Sequence, residues 1–87
     1  MKEVTEEKLK KYFAITGDAL EEAKKANVDG EEIIDMAQRY FDDAHFFHKK
    51  GDDVNAFAAL AYAHGWLDCG ATLGKFKVSD NRLFTVD

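Results

Sequence analysis

The sequence predicts an all-α fold: an antiparallel, up-down-up three-helix bundle followed by an extended C-terminal tail. Three observations predict it. Proline is absent from all 87 residues, so nothing interrupts a long helix. Apolar residues recur at helical spacing through three stretches of about twenty residues. Two short Gly/Asp/Asn segments separate those stretches, and short connections make sequential helices antiparallel neighbours.

The first helix is expected over about 5–26. Thr5 can cap it, and Glu6 and Glu7 suit the positive end of its dipole. Leu9, Phe13, Thr16, Leu20 and Ala23 form its apolar stripe. Gly17 is a weak point, costing ~1 kcal/mol relative to Ala, and Asp18 with Glu21 has the spacing of a second cap. The stripe keeps phase across Gly17, so one continuous helix is expected. Asn27-Val28-Asp29-Gly30 reads as a turn.

The second helix is expected over 31–50, acidic at its start and ending in Lys49 and Lys50. Ile33, Ala37, Tyr40, Phe41 and Ala44 share a broad arc, while Phe46 falls among polar residues and should be exposed. Gly51-Asp52-Asp53 gives a helix stop and the next cap. The third helix is expected over 54–73, with Gly74 at its end. Its first half is apolar almost all round apart from Asn55, the pattern of a helix that is central or covered by a partner. The expected core is Phe13, Leu20, Ile33, Ala37, Tyr40, Phe41, Ala44, Phe57, Leu60, Ala61 and Leu67. Residues 1–74 thus form the bundle. Residues 75–87 form a tail or short hairpin packed on it, because Phe76, Val78, Leu83, Phe84 and Val86 are too apolar to leave in water.

Composition narrows the function. A net charge of −5 with scattered basic residues argues against a nucleic-acid partner, since phosphate contacts need clustered Lys and Arg. Cys69 is the single cysteine, which excludes an intrachain disulfide and favours a reducing compartment. The N-terminus, Met1 to Lys11, is charged and lacks an apolar signal core. The longest apolar run, Ala56 to Ala63, is far short of the ~20 residues a membrane span needs. A cytoplasmic protein with no membrane association is expected.

Four groups of residues carry chemistry worth weighing. His64 and Asp68 stand four apart on the third helix, so a carboxylate can orient an imidazole, but no nucleophile matches them. They read as a polar pair. Asp42, Asp43, His45 and His48 on the second helix are close enough to share a metal in principle. Bundle metal sites, however, draw ligands from several helices, so no metal and no cofactor is expected. Arg39 and His45 have the spacing Arg-x5-His, which resembles the Arg-x(4–6)-His element of small helical nucleases of the HEPN type. Those enzymes cut RNA at a dimer interface. Here Tyr40 follows the Arg where a polar residue is common in those enzymes. Aromatic residues are mostly core, but Tyr62, Trp66, Leu73, Phe76 and Phe84 are candidates for an interface.

Tyr40-Phe41-Asp42-Asp43-Ala44, Gly51-Asp52, and Ala56 to Asp68 with Tyr62-Ala63-His64-Gly65-Trp66-Leu67-Asp68 resemble a family of short archaeal proteins known as domain of unknown function 357. The ending Leu83-Phe84-Thr85-Val86-Asp87 fits as well. The resemblance implies a small helical bundle from an archaeal cytoplasm and brings no activity, cofactor or catalytic residue. The function expected from the residues is a non-enzymatic interaction module, self-associating as a homodimer or meeting another protein, with no catalytic residue. The alternative is an RNA-processing helical domain using Arg39 and His45.

Overall fold

The computed structural model describes residues 4–85. Met1 to Glu3 of the charged N-terminus, and Val86 and Asp87 of the apolar tail, lie outside them. Three helices follow in order: α1 (Glu6–Lys25), α2 (Glu31–Lys49) and α3 (Asp53–Thr72). Each boundary falls within one residue of its sequence expectation, because the capping chemistry is local. The Thr5 hydroxyl accepts from the Lys8 amide at 3.1 Å. The Asp52 carboxylate accepts from the Asn55 amide at 3.2 Å. Asn27 closes the first turn by accepting from the Gly30 amide at 2.8 Å. Gly51 and Gly74 follow α2 and α3 with φ of 77° and 70°, a left-handed conformation that glycine adopts without steric penalty. α1 runs unbroken through Gly17.

α3 packs most extensively on α2 and less on α1, and α1 and α2 touch least. Small residues explain this closeness. Ala56, Ala59, Ala63 and Gly70 of α3 are buried, as are Ala37 and Ala44 of α2. Leu20, Ala37, Ala44, Leu60 and Leu67 occupy the interior as expected. Ala61 does not: it faces outward. Phe13, Ile33, Tyr40, Phe41 and Phe57 are half-buried. They lie at the edges of a core that is built mainly from alanine and leucine.

The large side chains missing from the helix seams come from the tail. Phe76 and Phe84, read from sequence as interface candidates, are 1% and 2% exposed within their own chain. They join Ala19, Leu20, Ala23, Ala37 and Leu67 in one cluster, and so have no surface to offer a partner. The tail is an arm laid on the α1–α2 turn. The Lys75 carbonyl accepts from the Val28 amide at 2.9 Å, and the Lys77 amide donates to the Ala26 carbonyl at 2.9 Å. Phe76 then sits against Gly70 and Gly30, where Cβ atoms would collide with its ring. No helix of the described residues is long and apolar enough to cross a membrane.

Candidate interaction surface

The inner flanks of α3 are occupied by α2 and α1, which leaves an outward strip. Val54, Ala58, Ala61, Tyr62, Gly65, Cys69 and Leu73 recur along it every three or four residues, and all are exposed. Val54, Tyr62 and Leu73 are 67%, 63% and 62% exposed. The charged residues of α3 are Asp53 at its first position and Asp68, so the strip between them carries no formal charge. The Tyr40 ring of α2 stacks on Tyr62 at 5.3 Å between centroids and extends the apolar surface sideways. In the middle of the strip lies an open groove of about 570 Å³, walled by Tyr62 and Trp66 and floored by Ala58, Ala61, Gly65 and Cys69. Trp66 is half-buried, one side against the core. Of the five interface candidates, Tyr62, Trp66 and Leu73 therefore lie on this surface.

The polar pair takes two separate partners. His64 Nδ1 lies 3.1 Å from the hydroxyl of Thr16 on α1, itself 1% exposed. The Asp68 carboxylate accepts from the Thr85 amide at 2.7 Å and its hydroxyl at 3.2 Å, so it anchors the tail. One helix turn separates the two residues, and each reaches the neighbour on its own flank. A smaller recess of about 210 Å³ opens between α1 and α3 beside His64, walled by Tyr12, Phe57 and Leu60.

Arg39 and His45 are both exposed on α2. The Arg39 guanidinium pairs with Asp35 at 3.1 Å. The His45 ring lies 4.5 Å from the Phe13 centroid and 4.9 Å from that of Phe41. Each is thus held by its own neighbours. Asp42 accepts from Gln38 at 2.9 Å, while His48 turns toward Glu6 and Asp53 at the far end of the bundle. Asp42 and His48 thus turn to different polar partners. Among the described residues, Glu6, His48 and Asp53 do come together, one from each helix, and no sequence spacing signals this grouping.

A family model described as "Protein of unknown function (DUF357)" matches residues 11–76. The chain belongs to this family. The match begins within α1, takes in α2, α3 and their turns, and ends on Phe76, the side chain that fills the core. It thus spans more of the chain than the α2 and α3 segments in which the resemblance is densest. No curated protein and no solved structure matches the chain. The family description carries no activity, so the function of this DUF357 chain rests on its surface.

Proposed function

We propose that this DUF357 chain is a non-enzymatic, cytoplasmic helical module that pairs with a second copy of itself through the outward strip of α3. The observation that carries this reading is the uncharged, groove-bearing face from Val54 to Leu73. On a chain of net charge −5, a face free of charge is where two copies approach with least repulsion.

The strip is complementary to itself. Tyr62 and Trp66 are bulky, and Ala58, Ala61 and Gly65 are small. A two-fold axis near Gly65 runs the two α3 helices antiparallel, sets Leu73 of each copy near Ala58 of the other and Tyr62 near Cys69, and opposes the helix dipoles. The size is adequate for a weak dimer. A 20-residue helix is about 30 Å long and about 11 Å across, so half of its solvent-accessible mantle is roughly 600 Å². Standard interfaces use about 800 Å² per partner, and Tyr40 adds to the α3 surface. Dissociation is expected in the micromolar range.

Sedimentation equilibrium from micromolar to hundreds of micromolar tests the reading. Gly65→Glu is the informative variant, because a Cβ at Gly65 meets nothing within 4 Å, so the fold is untouched. The wild-type chain should show a reversible monomer–dimer equilibrium, and Gly65→Glu should remain monomeric with an unchanged helical spectrum. A wild-type chain that stays monomeric throughout, or a variant that dimerises equally well, defeats the proposal.

A further inference from the structure

The three helices meet at one end of the bundle in a cluster separate from the α3 strip. Glu6 opens α1, Asp53 opens α3, and His48 lies in the last turn of α2. One donor atom from each lies within 4.8 Å of the other two. The imidazole is held from one side, with Nδ1 3.0 Å from Asp53 Oδ1. An ionised carboxylate only accepts, so Nδ1 donates to it. The other nitrogen, Nε2, lies 3.6 Å from Glu6 Oε1. In the neutral ring two acceptors face one another across this gap, which a proton or a metal ion can bridge.

We propose that this gap is a binding site for one divalent transition-metal ion of the zinc class, with His48 Nε2 and Glu6 as direct ligands and Asp53 as the residue that positions the ring. The spacing fits. With bonds of about 2.0–2.1 Å, two ligands on a tetrahedral zinc lie about 3.3 Å apart, close to the 3.6 Å found. The carboxylate–histidine arrangement fixes the tautomer and raises the basicity of the ligating nitrogen. The charge balance also favours a cation. The two carboxylates contribute −2, the N-termini of α1 and α3 about +0.5 each, and the C-terminus of α2 about −0.5. These sum to about −1.5, to which Lys49 in the same last turn of α2 adds a positive charge. The ring of Phe13, 5.6 Å from that of His48, forms an apolar flank. The Glu6 side chain is 62% exposed, so an ion can enter from solvent and water completes its coordination. An ion seated there ties the ends of all three helices together, and loading should raise thermal stability.

Calorimetric titration of the full chain with zinc chloride, paired with thermal melts across zinc concentrations, tests the site. Wild type should bind one equivalent per chain. Its midpoint should rise by roughly 10–20 °C at a hundredfold excess over Kd. Glu6→Gln and His48→Asn should abolish both signals, and Asp53→Asn should weaken affinity about 10–100-fold. His45→Asn and Cys69→Ser should leave both unchanged. Circular dichroism of the apo variants verifies that each is folded, and Glu6→Gln alters only an exposed side chain. The absence of saturable binding would show that a proton rather than a metal bridges the gap. Binding that survives Glu6→Gln, or that is lost with Cys69→Ser, would likewise overturn the assignment.

Discussion

Gly70→Ala tests the reasoning about the core most directly. On an isolated helix this change is stabilising by about 1 kcal/mol. In this protein a Cβ at residue 70 overlaps Cζ of Phe76 and comes within 2.6 Å of Cε1, where carbon atoms prefer about 3.5–4.0 Å. The ring cannot easily step aside. Its backbone is pinned on both sides by the bonds from Val28 to the Lys75 carbonyl and from Lys77 to the Ala26 carbonyl, and the Lys75 amide donates to Gly70 itself at 2.9 Å. Expelling the ring forfeits about what Phe→Ala forfeits in a core, roughly 3–5 kcal/mol. After subtracting the helix gain, Gly70→Ala should destabilise by about 2–4 kcal/mol, a large part of the ~5–15 kcal/mol available to a small domain. Urea denaturation followed by circular dichroism measures this. The double variant decides the cause: in a Phe76→Ala background, Gly70→Ala should be neutral or stabilising. An equal loss in both backgrounds, or a gain in the wild-type background, would refute the claim that glycine is there to admit Phe76.

Other consequences can be checked in the same way. Phe41→Ala, at a half-buried position, should cost less than Phe76→Ala, about 1.5–3 kcal/mol by apolar area, in matched urea titrations. Thr16→Val removes the partner of His64 Nδ1 and should destabilise by about 1 kcal/mol, read as a shift in midpoint at constant m. Asp68→Ala should release the end of the tail, seen as faster amide exchange at Thr85, whose N–H donates to Asp68. The side-chain hydrogen bond from Arg82 holds the Asp80 carboxyl below its ordinary range. A depressed folded-state pKa supplies stability above the unfolded value that is lost as pH falls through the folded one, so this contribution should vanish only in acid. In Arg82→Ala the Asp80 carbon resonance should titrate nearer the ordinary carboxylate position, part of the depression remaining because the residue-82 amide still donates to the carboxylate, and an unchanged midpoint would contradict the side-chain pairing.

Local chemistry determined the helices. Thr5 and Asp52 as caps, acids at helix starts, and glycines at positions 51 and 74 are signals that neighbouring residues read without help from the rest of the chain. The continuity of α1 across Gly17 also followed from the phase of its own stripe. The apolar character of α3 was legible too, as were Tyr62, Trp66 and Leu73 as surface candidates, because a small bundle cannot cover a helix on every side.

What the sequence left undecided were the choices among faces and partners. Phe76 and Phe84 read as interface candidates and as apolar residues of a tail packed on the bundle, not as core. The decision depended on the gap left where alanine and glycine bring α2 and α3 together, a volume that exists only once the helices have packed. Ala61 and Leu60 are adjacent and equally apolar, yet one faces water and the other does not, because the rotation of α3 is set by how its small residues seat against α2. His64 and Asp68 share a helix face, but Thr16 and Thr85 draw them apart. Glu6, His48 and Asp53 come together for the converse reason. Helix length and turn geometry carry the starts of α1 and α3 to the end of α2, and residues far apart in the chain become neighbours at distances that no periodicity encodes.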